Sequence, residues 1–182
     1  MIPAVKWQAL LAIGILVIVI FAAGCTDEGS QDPAPPLTDA VQPGQALVAI
    51  GDVTGDGIAG GTIDSLTFTV GLAPGKGPVD MEKFSLYYAD TIVTETLLPV
   101  KGFHSDPGQG EWSILMVNNQ VGNANDRLED NEQAVIRINP RAYLPANRVC
   151  TIVVLSPGST PLTIRRIAPP VILQTNNILA TV

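Results

Sequence analysis

The sequence predicts a mainly β chain: an antiparallel sandwich preceded by an N-terminal apolar helix and a proline-rich linker. Three observations carry this reading. From about Ala46 onward, short apolar runs alternate with polar residues; Pro-Gly and Gly-Gly pairs punctuate those runs; and one unbroken apolar stretch is confined to the N-terminus. The 182 residues suit one domain of ordinary size plus an appendage, here divided into 1–24, 25–45 and 46–182. Fifteen prolines and 17 glycines among few aromatics fit many short elements separated by turns.

The first segment places Lys6 ahead of an apolar run from Ala9 to Gly24. As a helix that run reaches about 24 Å, somewhat short of a hydrocarbon core of about 30 Å. Its order of parts, a positive charge, an apolar stretch and then small residues, is also that of a secretory signal. Ala22-Ala23-Gly24 stand directly before Cys25 and resemble the lipobox of bacterial and archaeal lipoproteins, with Cys25 as the candidate lipid attachment site. The other reading is a transmembrane anchor with a cysteine at its outer edge. Both hold the chain at a membrane.

The second segment, "TDEGSQDPAPPLTDAVQPGQ", is polar, acidic and without apolar periodicity. It cannot bury enough surface to offset its chain entropy, so an extended tether is expected.

The third segment supplies the strands. "DSLTFTV" sets Leu66, Phe68 and Val70 on one face and Ser65, Thr67 and Thr69 on the other, the period-2 pattern of a half-buried strand. "EWSILMV" puts Trp112, Ile114 and Met116 on one face, and "QAVIRI" does the same with Ala134, Ile136 and Ile138. "RVCTIVVL" aligns Cys150, Ile152 and Val154, which makes Cys150 a small buried side chain. "QALVAI", "FSLYY" and "TPLTIRR" add further strands, for seven or eight in all. In "APPVILQTNNILATV" a proline pair blocks a helix, so this end packs as a terminal strand or extended cover.

Few residues point to chemistry. The net charge of -7 leaves no clustered Lys and Arg for nucleic acid. Two cysteines, one beside the apolar run, do not make a disulfide framework. His104 stands in the loop "KGFHSDPGQGEW", where adjacent Ser105 and Asp106 are badly placed to form a triad with it. The acidic stretch "NANDRLEDNEQ" is read as a solvated loop leading into the next strand, with a cation site or protein contact as the sharper alternative.

The stretch "DVTGDGIAGGTID" offers Asp52, Thr54, Asp56 and Gly57 at the first positions of a calcium loop. Position 12 is Ile63, however, and Gly60 stands where an oxygen is wanted. The reading adopted is a glycine-rich turn between two strands. No metal, cofactor or catalytic residue is expected, and the chain is read as non-enzymatic.

"ALVAIGDVTGDGIAGGTIDSLTFTVGLAPGKGPVDMEKFSLYY" resembles the outer domain of archaeal flagellins, the archaellins. Their run "xxIDxLxxxVxLAPGxxxIDL" is matched by Ile63-Asp64, Leu66, Val70, Leu72-Ala73-Pro74-Gly75 and Val79-Asp80-Met81. "NDRLEDNEQAVIRI" and "TPLTIRRIAPPVILQTNNILATV" are similar to later parts of that pattern, in the same order. The resemblance covers most of 46–182. It implies an immunoglobulin-like sandwich on the extracellular face of the cell membrane or on the archaellum, the motility filament. It also implies partners among other archaellin-type or surface-layer proteins, or a homo-oligomer or filament.

The N-terminus departs from the family. No basic leader ending in glycine precedes the apolar run, the stretch Asp32 to Pro43 would break a core helix, and there is no Asn-x-Ser/Thr sequon. Two roles follow. As an archaellum subunit or accessory component, the chain would assemble through Leu10, Leu11, Ile13, Ile15, Leu16, Val17, Ile18, Val19 and Ile20. As a lipid- or helix-anchored extracellular binding module, it would contact other surface proteins or glycans through sandwich-end loops.

Overall fold

The computed structural model describes residues 42–58, 61–102 and 104–182. The apolar run from Leu10 to Ile20, Cys25 and nearly all of the linker lie outside the described residues.

The described chain is mainly β, as the alternation requires. Its strands are β1 (Leu47–Ile58), β2 (Thr62–Leu72), β3 (Val79–Asp80), β4 (Ser85–Ala89), β5 (Thr94–Pro99), β6 (Glu111–Asn118), β7 (Arg127–Leu128), β8 (Gln133–Asn139), β9 (Leu144–Pro145), β10 (Val149–Leu155), β11 (Leu162–Ile167) and β12 (Asn177–Thr181). One 3-10 turn, Met81–Lys83, is capped by Asp80, whose side chain accepts from the Glu82 N–H.

The ladders close on themselves. The order β1-β12-β11-β10-β4-β5-β6-β8-β2 returns to β1 through a direct β1–β2 pairing. Two strands change partners halfway. β5 pairs with β4 through Thr94 to Leu97 and then with β6 through Leu98 and Pro99. β12 pairs with β1 through Asn177 to Leu179 and then with β11 through Ala180 and Thr181. These two strands form the corners at which one layer passes into the other. The expected antiparallel pairing holds except at β5–β6, which is parallel. Closure is made at these corners only: β6 beyond Trp112 pairs with β8 alone, and β11 before Arg166 pairs with β10 alone.

Inside the ring, Leu66, Phe68 and Val70 meet Trp112, Ile114, Ile136 and Ile138 from their own layer and Leu86, Tyr88, Ile152, Val154 and Ile164 from the other; all are buried in one cluster. At about 25 cal/mol per Å² of apolar surface, this cluster is the main stabilising element of the fold.

Two expectations need correction. Met116 does not share a face with Trp112 and Ile114: it is 54% exposed. Ile114 stands opposite Ile136 and Met116 opposite Val135, so Leu115 is an extra residue. This bulge turns Met116 outward and lets Val117 pack against the core instead. The stretch from Asp52 to Ile58 is also not turn but strand, with the reversal confined to the few residues between Ile58 and Thr62.

Gly57 has a different purpose from the sharp bend of a calcium loop. A Cβ there would lie 2.1 Å from the Leu173 carbonyl oxygen, and the Gly57 N–H donates to the Gln174 carbonyl at 2.9 Å. The glycine admits the backbone of the segment before β12 at the corner of the ring.

Candidate interaction face

Three segments marked by their sequences converge on the outer side of the β2–β8–β6 layer. They are the β1 stretch around Asp56, the loop 101–110 between β5 and β6, and the acidic stretch around β7. The first two meet at Arg137, an outward position on β8 between inward Ile136 and Ile138, and the third meets the loop at His104. Arg137 Nη2 donates to Asp56 Oδ2 at 2.5 Å and to Ser65 Oγ at 2.9 Å, while Nη1 lies 3.6 Å from Asp106 Oδ1. The side chains of Arg137 and Asp56 are 26% and 38% exposed, and the guanidinium serves β1, β2 and the loop at once.

The loop 101–110 lies across this layer. His104 Nδ1 faces the Ile114 carbonyl at 3.2 Å and its Nε2 lies 3.4 Å from Asp126 Oδ1. Asn139 Nδ2 donates to the Pro107 carbonyl at 3.2 Å, the Gly108 N–H to Glu111 Oε2 at 2.8 Å, and Gln109 Nε2 to the Arg141 carbonyl at 3.1 Å. The buried side chain of Ser113, on the outward register of β6, fits a covered layer. Polar contacts fasten this cover.

The acidic stretch is not uniformly solvated. Glu132 is buried, and its carboxylate accepts from Gln120 Nε2 at 2.7 Å, the Val121 N–H at 2.8 Å and the Glu129 N–H at 2.8 Å. It gathers the β6–β7 and β7–β8 connections around one charge-assisted centre. This correction has a simple cause: a carboxylate with three donors aimed at it can be buried where a bare one cannot.

The arrangement holds loops to the sheet. Asp106 is engaged by Arg137, while the carboxylate beside His104 is Asp126, so Ser105, His104 and Asp106 form no relay. Asp56, the second carboxylate of the supposed calcium loop, is held by Arg137. Cys150 is buried on β10, and desolvation pushes its thiol up to about 12, far from the thiolate a nucleophile needs. Burial likewise raises the Tyr88 hydroxyl well above its ordinary range. Beside His104, a shallow hollow of about 340 Å³ is lined by Met116, Val117, Gln120 and Asp126.

The sequence did not mark Arg137 or Glu132 as centres. The available signal was a lone arginine in the middle of an Ile-rich strand and a glutamate directly before it. The residues Leu10 to Ile20 and Cys25 fall outside the described chain, so this face neither includes nor excludes them.

No family model matches the chain, and no curated protein sequence does. Solved structures do share its fold. Archaeal flagellin FlaB1 from Methanocaldococcus jannaschii superposes with a TM-score of 0.57 at 15% identity, over 75% of this chain and 98% of that one. The archaeal flagellum of Methanospirillum hungatei strain JF1 gives 0.53 at 15% identity, over 94% of this chain and 90% of that one. The fold is archaellin-like, as the sequence motifs implied. At this identity the likeness is one of fold.

Proposed function

We propose that this chain is a non-enzymatic structural protein of the archaeal cell surface, a subunit or accessory component of the archaellum. The observation that carries this reading is the likeness of fold to an archaeal flagellin over 98% of that chain's length. The sequence motifs from Ile63 to Met81 support it independently. In this role the β domain faces solvent, and the apolar run from Leu10 to Ile20 buries itself among neighbouring copies or in the membrane.

The Ala22-Ala23-Gly24-Cys25 sequence favours a second reading, a lipid-anchored surface module that contacts other surface proteins or glycans. Antibody raised against the β domain separates the roles by immunogold labelling of native cells. Label along the filament makes the chain a subunit, and label only at the filament base makes it an accessory part. Label spread over the envelope, with bare filaments and bases, overturns the archaellum reading and leaves the anchored module.

A further inference from the structure

A second concavity lies at the end of the domain where the described chain begins. It has a volume of about 360 Å³, at the small end of ligand-binding clefts, which run from about 300 to 1,000 Å³. Three segments wall it: the chain entry at Gly44, the β2–β3 connection with Lys76, and the β10–β11 turn with Ser156 and Pro157. The walls are tied to one another. Thr160 donates through its N–H to the Gly44 carbonyl at 3.2 Å and through Oγ1 to the Pro43 carbonyl at 3.1 Å, and the Ala73 N–H donates to the Ala46 carbonyl at 2.8 Å.

Charge and hydrogen bonding both favour an anionic guest. The chain has 17 Asp and Glu against 10 Lys and Arg, yet this pocket is lined by Lys76 and Lys83 with a single carboxylate, Asp80. Asp80 is already bound by Lys83 at 2.8 Å, and that bond holds its carboxyl below the ordinary range. Among the described residues no carboxylate pairs with Lys76. Ser156 is 5% exposed and its Oγ has no hydrogen-bond partner among the described residues. A buried hydroxyl left in that state is unfavourable until something pairs with it. A turn of χ1 between staggered wells moves the Oγ itself, and rotation about the Cβ–Oγ bond then aims its proton. The ring of Pro157 adds an apolar surface of the kind that packs against sugar C–H groups.

We propose that this pocket binds a hydroxylated oxyanion, a sugar acid or sugar phosphate, with Lys76 meeting the charge and Ser156 meeting a guest oxygen. Nothing in this inference depends on whether the chain polymerises. Two sources supply such a group: a soluble or polymeric acidic glycan, and the headgroup of an anionic lipid.

The test is calorimetric titration of the full chain, kept in neutral detergent micelles, with D-glucuronate and with glucose 6-phosphate. Saturable binding at one site is expected, with glucose itself giving none. Lys76→Gln should weaken binding about tenfold, the loss expected for one charge-assisted hydrogen bond. Ser156→Ala should weaken it by a smaller factor, and Lys101→Gln, remote from the pocket, should leave it unchanged. Adding phosphatidylglycerol to the micelles distinguishes the sources. Suppression of the glucuronate signal assigns the pocket to a lipid headgroup, and an unchanged signal assigns it to a glycan. No saturable binding, binding unaffected by Lys76→Gln, or equal binding of glucose overturns the proposal. Lys76 is exposed, and an unchanged melting temperature confirms that its variant is folded.

Discussion

The two outer faces of the ring begin from the same strand alternation and end differently. On the β2–β8–β6 side, outward Ser113 is fully buried and Arg137 is drawn into ion pairs beneath the loop 101–110. On the β4–β10–β11 side, Tyr87, Thr151 and Val153 stay half-buried, while Thr163 and Arg165 are exposed. The inward faces of both layers are largely apolar, with Arg166 on β11 the buried charged exception among the described residues. Cover is therefore a property of loops and of the side chains that fasten them, and strand periodicity says nothing about it. The covered face has specific contacts to lose, and the open one has few.

The largest effect is expected at a corner on which both faces depend. Gly57→Ala puts a methyl group 2.1 Å from the Leu173 carbonyl oxygen, a backbone atom that can yield only by displacing the segment before β12. A loss of about 3 kcal/mol or more should appear in urea denaturation, ahead of any change to either face.

Next is Glu132→Ala, which strands three donors around an empty site on the covered side. The expected cost is about 2–3 kcal/mol. Hydrogen exchange should quicken at the Val121 and Glu129 amides while the amides of β10 keep their protection relative to global unfolding.

The direct comparison of faces is Arg137→Ala against Arg165→Ala. The first leaves Asp56 and Asp106 without their shared partner and should cost about 1–2 kcal/mol, with faster exchange in the loop 101–110. The second, an exposed side chain on the open face, should stay within about 0.5 kcal/mol of the unsubstituted protein. Equal costs would mean that the loop is held by something other than Arg137.

These contrasts also show what the sequence could convey. Periodicity located β2, β8 and β10 and named their inward residues, because apolar burial at every second position is a local signal. It failed at Met116, since a one-residue bulge reverses the faces beyond it and leaves no mark in composition. It passed over β5, where Thr94, Thr96 and Leu98 face outward and, of its inward positions, only Leu97 is apolar and buried. The hairpin ahead of β5 is instead set by Asp90, whose Oδ1 accepts from the Ile92 and Val93 amides, both at 2.7 Å. The glycines of the β1 stretch were read as a turn because the partner that requires Gly57 lies more than a hundred residues away. Arg137 was hidden for the same reason: Asp56 and Ser65 come from distant strands. Glu132 draws on the nearby Glu129, Val121 and Gln120, but an acidic run carries no mark of which carboxylate its neighbours will enclose. The apolar N-terminal run was the plainest feature of all, since its character depends on no partner.

A last effect, absent at neutral pH, concerns the core that both faces share. Cys150 ionises near 9.0 when exposed and only at about 12 when folded, because burial disfavours the thiolate. A raised acidic group of this kind stabilises fully below pH about 9, and its contribution is lost as the pH climbs toward about 12. Between pH 9 and 11 the unsubstituted protein should therefore lose stability more steeply than Cys150→Ala, measured relative to each protein at pH 7. Parallel curves would mean that the thiol is reached by water.

The most direct test of the archaellum role lies at the N-terminus, in the intact mass and terminal sequence of the protein isolated from its native cell. The expected result is a mature chain that keeps the apolar run from Ala9 to Gly24, with Cys25 unmodified at its outer edge. A mature chain that begins at a lipid-bearing Cys25 would contradict assembly through that run and make the β domain a tethered surface module.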